Sequence, residues 1–495
     1  MGMRLRNFLS LGCALAMFLS VVGMSMAAVG APRKISYAIL SSESTAGIED
    51  WQEVLRALEE KYPGAERIVF PDGDPASALG RLRDARPQFG CFVARHEEVT
   101  RGFVSQVHQL TRGIDEDPYA DLRWGILTGY DAANALAIAS TTEPLVIGRV
   151  ASGTEVALEK CQEGVWYCEL QKNRMVRKQR GGVPVQGRGP DDTTRVLAET
   201  LNDYRAQLFV TSGHATERDW QIGFRYKNGY FKCEGGQLFG LDTQGERIDV
   251  SSPNPKVYMP IGNCLMGHID GPDAMALAWL KSAGVRQMLG YTVPTWYGYA
   301  GWGCLDYFVE QPGRYSFSEA FMANQHAMIH RLDSCFPGLA REPLRVPDDA
   351  MGLRGKIKAT QRAKELGLGV QDGVGLLFDR DALVFYGDPA WDARMADGDL
   401  AYGQALTEKD GIWTFEVKPA TGANSFAPVN KNGSQRGGRP MVAFFPERLD
   451  GEIEILEGGE LGAVVADDFV LLPNPRTVEE GKVYRVVFRV AAAEG

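Results

Sequence analysis

After residue 34, short apolar runs alternate regularly with longer amphipathic segments, and this alternation constrains the fold more than any other feature. Residues 35–40 and 67–70 have the length and composition of buried strands, whereas residues 48–62 between them have the apolar period of a helix. Repeated strand–helix–strand units favour a mainly parallel sheet with helices on both faces. Further strands are predicted at 89–94, 122–127, 207–211, 256–261 and 285–291, and further helices at 76–85, 131–139, 193–205, 274–283 and 318–332.

The alternation of strands and helices stops near Leu383. Residues 403–495 instead contain short alternating stretches between Gly, Pro and Asn turns, a pattern typical of a β-sandwich. A chain of 495 residues also exceeds the usual size of one hydrophobic core. We therefore expect an α/β subdomain at 33–118, a larger α/β domain at 119–395 and a β-sandwich at 403–495.

The first 27 residues have the order of a secretory signal peptide. Arg4 and Arg6 precede an apolar run at 8–24, and small residues lead to a cleavage site after Ala27. The apolar run is slightly long, which leaves an uncleaved membrane anchor as an alternative. Beyond residue 31, no stretch approaches the about 20 apolar residues of a membrane-spanning helix. The sequence thus predicts a secreted or periplasmic protein with no membrane contact once the signal is removed.

The charge of the chain argues against one class of partner. A net charge of -10 and a pI near 5.3 do not suit a general nucleic-acid binder, which needs a basic face. The densest basic cluster, residues 172–180, is short and followed by two glycines, so we interpret it as a solvated loop. We expect no nucleic-acid partner.

Seven of the eight cysteines remain after removal of a signal peptide that contains Cys13. An odd number in an oxidising compartment leaves at least one unpaired thiol. Cys161 and Cys168 flank a short loop and are candidates for a disulfide. The number of cysteines permits a reactive thiol but does not identify it.

One cysteine and one histidine lie just after predicted strands, where α/β sheets usually carry their functional sites. Thiol catalysis requires an ionisable cysteine, a base that accepts its proton, and donors for the oxyanion that forms on the substrate carbonyl. Cys264 follows the predicted strand 256–261, and His214 follows the predicted strand 207–211. Sites in open α/β sheets lie past the carboxyl ends of strands. We therefore predict that Cys264 and His214 act together.

Residues 212–220 and 261–264 carry two short motifs in a meaningful order. In the first, Glu and Trp follow the histidine by three and six residues, and in the second an apolar strand leads into Gly-Asn-Cys. Both resemble motifs of the gingipain family, cysteine peptidases of clan CD with a caspase-like fold. Residues 289–297 and 384–389 are similar to that family's next strand with its aromatic loop and to the end of its catalytic domain. The resemblance covers roughly residues 119–388, and by analogy the C-terminal domain is immunoglobulin-like.

The resemblance implies an exported cysteine endopeptidase that acts on proteins or peptides through an acyl-enzyme and needs no cofactor. Cys264 would be the nucleophile and His214 the general base and acid, 50 residues apart as in caspases. Backbone N–H groups at Cys264 and near His214 would form the oxyanion hole. The chain departs from the family at Ala215, where the family usually has glycine. If that position requires a conformation open only to glycine, the alanine strains the turn.

The resemblance also implies supporting and substrate-binding residues. Glu217 could orient His214, or it could be a solvated loop carboxylate. Trp296 and Tyr297 are expected to line the substrate pocket, and the glycine-rich stretch that follows at 298–303 reads as loop. The substrate side chain that such a pocket selects does not follow from the sequence.

Other interpretations of these residues remain open. Cys264 could be an inert buried thiol, or it could bind zinc with His268 and His214, as in hydrolases with three protein ligands. Asp270 and Asp273 suit either a structural calcium site or the capping of the helix predicted at 274–283. A last alternative is a catalytically inactive, gingipain-like envelope or adhesion protein.

Overall fold

The computed structural model describes residues 36–433, 436–479 and 481–491, so the predicted signal peptide lies outside the described residues. The strands are β1 (Tyr37–Ser42), β2 (Glu66–Phe70), β3 (Phe89–Val93), β4 (Arg123–Leu127), β5 (Leu145–Ile147), β6 (Arg149–Ser152), β7 (Glu163–Tyr167), β8 (Arg174–Lys178), β9 (Val185–Arg188), β10 (Leu208–Thr211), β11 (Asp219–Gln221), β12 (Tyr230–Glu234), β13 (Gln237–Leu241), β14 (Arg247–Asp249), β15 (Lys256–Pro260), β16 (Val285–Tyr291), β17 (Leu383–Gly387), β18 (Ala393–Met395), β19 (Tyr402–Lys409), β20 (Ile412–Pro419), β21 (Met441–Phe444), β22 (Glu452–Glu457), β23 (Val464–Val465), β24 (Phe469–Leu472) and β25 (Tyr484–Ala491). The α-helices are α1 (Glu43–Ala46), α2 (Glu49–Lys61), α3 (Leu79–Ala85), α4 (Arg101–Thr111), α5 (Ala132–Ala139), α6 (Thr194–Asn202), α7 (Met275–Ser282), α8 (Tyr299–Phe308), α9 (Phe317–Cys335), α10 (Asp349–Gly352), α11 (Gln361–Glu365) and α12 (Val370–Arg380). None of the helices in the described part of the chain has the length and apolar character needed to cross a bilayer.

A 12-stranded sheet in the order β2-β1-β3-β4-β17-β16-β15-β10-β6-β7-β8-β9 forms the centre of the fold. Strands β1 to β4 and β17 run in one direction, and β16, β15, β10, β6 and β7 run in the other. The two parallel halves meet at the antiparallel pair β16–β17. The carboxyl ends of β6, β10, β15 and β16 therefore lie at the same sheet edge as the amino ends of β3 and β4. The predicted mixed α/β fold with a large, mainly parallel sheet is confirmed.

Most strands predicted from apolar runs match observed ones within two residues, because a strand buried on both faces leaves a continuous apolar signal. The segment from β6 to β9 and the antiparallel strands β11–β14 were not predicted, since partly exposed residues interrupt their apolar pattern. The basic cluster at 172–180, predicted to be a loop, lies largely on strand β8 near the sheet edge. The predicted domain boundaries remain predictions, although β1–β4 and β6–β10 belong to one sheet.

Helix α8 replaces the loop predicted at 298–303. The glycines of this segment allow close packing. A Cβ on Gly301 would collide with the Ile261 carbonyl oxygen. A Cβ on Gly303 would collide with the Asn324 side chain of α9. The helix is accordingly buried, and Trp302 is only 4% exposed.

Two small antiparallel sheets form the C-terminal part of the described chain. One has the strand order β19-β20-β25-β22 and the other the order β21-β24-β23. They share one apolar core, which includes Phe415, Phe488, Val470 and Leu472. The predicted all-β character of this region is therefore observed.

The seven cysteines of the described residues are all free thiols. Cys161 and Cys168 are buried and unpaired, so the disulfide considered from their spacing is absent. Cys161 is fixed instead by its Sγ, which donates to the Ala157 carbonyl at 3.6 Å.

A buried ion-pair network joins the end of helix α12 to the end of helix α4. The Asp381 carboxylate lies 2.7 Å from Arg112 Nη2 and 2.7 Å from Arg380 Nη2, and all three side chains are buried. Burial opposes ionisation, yet the two guanidiniums hold the pKa of Asp381 well below its usual range.

We predict that Asp381→Asn lowers the free energy of unfolding by about 3–5 kcal/mol, because two guanidiniums lose their buried counterion. Urea denaturation followed by circular dichroism measures this change. Glu53→Gln is the control, since it breaks an exposed pair with Arg56 and should cost about 0.5 kcal/mol or less. Equal effects of the two substitutions would contradict the role of the network.

Candidate active site

The histidine segment follows β10 directly. Gly213 has φ +95°, a left-handed conformation that favours glycine and turns the chain after the strand. His214 comes next, and the Trp220 indole N–H donates to the Ser212 carbonyl at 2.9 Å. An antiparallel bridge between Ala215 and Trp220 closes the loop. Trp220, six residues after the histidine, is therefore the buried residue that anchors the histidine loop.

The His214 ring is exposed and stacks on Phe224, with centroids 4.6 Å apart and an interplanar angle of 28°. The Phe224 N–H donates to the Glu169 carbonyl at 2.7 Å, which fixes the stacking partner. Burial raises the pKa of the Glu169 carboxyl to about 7. The histidine is thus held by aromatic stacking, a contact that its sequence motif does not reveal.

The departure at Ala215 does not strain the turn. Ala215 is not among the described non-glycine residues with positive φ, so its Cβ lies in ordinary backbone space. The conformation open mainly to glycine falls two residues earlier, at Gly213. The strain considered from the sequence is therefore absent.

The cysteine segment follows β15 and bends sharply after Cys264. Leu265 has φ +59°, which is rare for a branched side chain and costs of order 1–3 kcal/mol. The Leu265 N–H donates to the Val293 carbonyl at 3.1 Å, and the Thr295 N–H donates to Cys264 Sγ at 3.2 Å. Strained residues of this kind cluster at functional sites, where the surrounding structure holds them in place.

Asn263 joins the two segments. Its Oδ1 accepts from the Thr211 hydroxyl at 2.6 Å, and its Nδ2 donates to the Gly213 carbonyl at 3.1 Å. The side chain is fully buried, so these bonds are shielded from water. A single amide thus holds the residue before Cys264 against the residue before His214.

Glu217 does not contact the histidine through a hydrogen bond in the described part of the chain. Its charge acts on His268 instead, where it opposes the lowering of the pKa by burial and by Arg101. Among the described residues, Cys264, His268 and His214 do not form a group close enough to bind one metal ion. The zinc interpretation of these three residues therefore lacks its geometry.

Asp270 and Asp273 have other partners. Arg218 Nη2 donates to Asp270 at 2.9 Å, and the Gly235 N–H donates to Asp273 at 2.8 Å. Helix α7 has Ala274 as its N-cap and no side-chain capping bond. The helix-capping role considered for this pair is therefore wrong.

The two aromatic residues predicted to bind substrate lie beyond the sulfur. Trp296 is 64% exposed. It follows Thr295, whose N–H donates to Cys264 Sγ. Tyr297 turns away and packs on helix α12, where its hydroxyl accepts from Gln371 Nε2 at 2.8 Å. Trp296 is therefore exposed next to the residue that contacts the thiol, whereas Tyr297 packs against helix α12.

Cys264 and Cys233 are the partly exposed thiols of the described chain, and the other five are buried. Burial raises the pKa of Cys233 to about 12, so it carries little thiolate near neutral pH. Exposure alone therefore does not make a thiol of this chain reactive.

Sequence reasoning identified Asn263 only as part of a motif and missed Thr295 and Phe224. The amide before the cysteine was the available signal for Asn263, since a polar residue at a buried strand end requires partners. Thr295 lies 31 residues from the sulfur that it contacts, and its backbone N–H carries no sequence signature.

No family model and no curated protein matches this chain. Three solved structures are similar to it. The crystal structure of the Arg-specific cysteine proteinase gingipain R (RGPB) has 10% identity and a TM-score of 0.44, over 92% of this chain and 95% of that chain. The complex of Porphyromonas gingivalis RgpB pro- and mature domains has 11% identity and a TM-score of 0.43, over 92% and 97%. A structure titled "Structure of Protease" has 9% identity and a TM-score of 0.41, over 92% and 95%.

Two of these structures are of gingipain R, a member of the family whose motifs the sequence resembles. Identities of 9–11% and TM-scores below 0.5 assign no role to any residue. The chemistry of the site therefore depends on the contacts described above.

We predict that Asn263→Ala lowers the free energy of unfolding by about 1–3 kcal/mol, because Thr211 and the Gly213 carbonyl lose a buried partner. Denaturant unfolding measures the change. Asn424→Ala replaces an exposed asparagine and should change stability by about 0.5 kcal/mol or less. A neutral Asn263→Ala would show that the bridge does not hold the two loops together.

Proposed function

We propose that this chain is an exported cysteine endopeptidase that hydrolyses peptide bonds through Cys264 and His214. The observation that carries the proposal is the Asn263 bridge. It fixes the residue before the cysteine to the residue before the histidine at one sheet edge. Both functional side chains are accessible there, although most cysteines of the described chain are buried.

The proposed reaction uses each side chain in a defined role. His214 accepts the thiol proton, and Cys264 Sγ attacks the carbonyl carbon of the scissile peptide bond. The tetrahedral intermediate collapses, the C–N bond breaks, and His214 donates its proton to the leaving amine. Water, deprotonated by His214, then hydrolyses the thioester, which releases the carboxylic acid and restores the thiol.

Backbone donors support the oxyanion role. In the described residues, the N–H groups of Cys264 and Ala215 have no recorded hydrogen-bond acceptor. Free backbone donors next to a nucleophile can stabilise the charge of the tetrahedral intermediate. The ordinary backbone of Ala215 is compatible with this role.

The substrates in this proposal are proteins or peptides. Trp296, exposed and next in sequence to the residue that contacts the sulfur, supplies an apolar surface for a substrate segment. The C-terminal sheets, with their shared core, support an immunoglobulin-like domain as the accompanying module. Export remains part of the proposal through the signal peptide predicted at 1–27.

We predict that iodoacetamide modifies Cys264 faster than Cys233 and that His214→Ala slows the reaction at Cys264 by about 10-fold or more. The physical reason is that Cys264 lies at the same sheet edge as the proposed base His214, whereas burial raises the pKa of Cys233 to about 12. Mass spectrometry of tryptic peptides after timed labelling measures both rates. Cys233→Ala is the matched control and should leave the rate at Cys264 unchanged.

We also predict that Cys264→Ala abolishes cleavage of a peptide library while the thermal unfolding temperature changes little. Slow labelling of Cys264 that does not respond to His214→Ala, together with no cleavage by the unmodified protein, would favour the inactive envelope or adhesion protein. Full cleavage by Cys264→Ala would exclude this cysteine as the nucleophile.

A further inference from the structure

Three carboxylates from two distant segments converge at the sheet edge that also carries the candidate active site. Asp115 and Asp121 lie between α4 and β4, and Asp467 lies between β23 and β24 of the C-terminal sheets. One oxygen of each carboxylate lies within 4.8 Å of the others. An ion about 2.4 Å from each oxygen fits between ligands at this separation.

One oxygen of the Asp121 carboxylate has no hydrogen-bond donor among the described residues. Asp121 is only 4% exposed, and this oxygen is its Oδ2. The other oxygen, Oδ1, has one ionic neighbour, Arg448 Nη1, at 3.5 Å. A buried carboxylate oxygen without a donor is costly, so this side chain requires a ligand that the described residues do not supply.

The nearby positive charges are mostly engaged by Asp467. Arg448 Nη1 lies 2.9 Å from Asp467 Oδ1, and Arg86 Nη2 lies 2.7 Å from Asp467 Oδ2. Neither arginine donates to Asp121 Oδ2, so this buried oxygen has no hydrogen-bond donor among the described residues.

Contacts within the loop and between the loop and the C-terminal sheets fix the position of the two segments. The Asp117 N–H donates to Asp115 Oδ1 at 2.8 Å, which shapes the loop. Tyr119 of the same loop packs edge-on against Phe469, with centroids 5.0 Å apart, next to the acidic turn of the C-terminal sheets. The carboxylates are thus brought together by packing between the two parts of the chain.

We propose that Asp115, Asp121 and Asp467 bind a divalent cation, with Ca²⁺ preferred over Mg²⁺, that joins the 113–121 loop to the C-terminal sheets. Calcium accepts six to eight oxygen ligands in flexible geometry, so carboxylates, carbonyls and water can complete the shell. Magnesium requires a nearly ideal octahedron at about 2.0–2.1 Å, which a site assembled from two loops meets less well. Asp270 and Asp273 differ from Asp121, because neither has a buried oxygen without a donor among the described residues.

The first test is thermal unfolding of the full-length protein after treatment with EGTA. Addition of 1 mM CaCl₂, a concentration chosen as about 100 times a micromolar-range Kd, should raise Tm by about 3 °C or more. The same concentration of MgCl₂ should raise it less. Asp121→Asn should remove most of the calcium shift, whereas Asp270→Asn should retain it.

Asp121→Asn also separates a cation site from a buried acidic cluster without a ligand. At a cation site, the substitution lowers Tm in calcium relative to the unmodified protein. In a cluster without a ligand, it relieves repulsion, so Tm rises in EGTA and calcium has no effect. That second result would overturn the proposal, and so would a calcium shift lost in Asp270→Asn but kept in Asp121→Asn.

A direct measurement remains available if the variant does not fold. Terbium binding to the unmodified full-length protein should give saturable luminescence sensitised by Tyr119, and CaCl₂ should displace it. Asp115→Asn and Asp467→Asn should each weaken terbium binding by about 10-fold or more, since each removes a charged ligand. Absence of saturable terbium binding that calcium displaces would contradict the site.

Discussion

The antiparallel pairing of β16 with β17 is the constraint on which the rest of the structure depends. It joins two parallel half-sheets of opposite direction, which places the carboxyl ends of one half beside the amino ends of the other. The chain after Cys264 then crosses β16 at very short range, because a Cβ on Gly290 would lie 2.7 Å from Gly267 Cα. The Tyr386 hydroxyl of β17 donates to the Gly267 carbonyl at 2.8 Å. The central strand pair therefore fixes the path of the cysteine segment directly.

The chain bends sharply after Cys264, and small and polar residues surround this bend. Leu265 in a left-handed conformation and the glycine contact at Gly267 reverse the chain within a few residues. The Thr295 N–H donates to Cys264 Sγ, and the Asn263 amide donates to the Gly213 carbonyl of the histidine loop. Backbone strain and hydrogen bonding thus combine to hold a thiol at the end of a buried strand.

Much of the sheet could be predicted from the sequence, because strands such as β15 and β16 are continuous apolar runs with few competing interpretations. Helix α8 could not, since Gly301 and Gly303 oppose helix formation and only tertiary packing reveals their purpose. The candidate pair, Cys264 and His214, followed from motifs near the strand ends. The contacts that position it involve backbone groups and residues distant in sequence, so no periodicity or spacing indicated them.

The C-terminal sheets reach the same edge through a chain of close contacts. Arg436, from the loop before β21, pairs with Asp306 Oδ1 of α8 at 2.6 Å inside the protein. A Cβ on Gly433 in this loop would collide with the Trp302 ring. Trp302 Nε1 in turn lies 3.4 Å from the position of a Cβ on Gly262, two residues before the cysteine. The C-terminal loop thus packs against α8, and α8 packs near the turn that carries Cys264. The all-β region is therefore in contact with the helix that lies beside the cysteine turn.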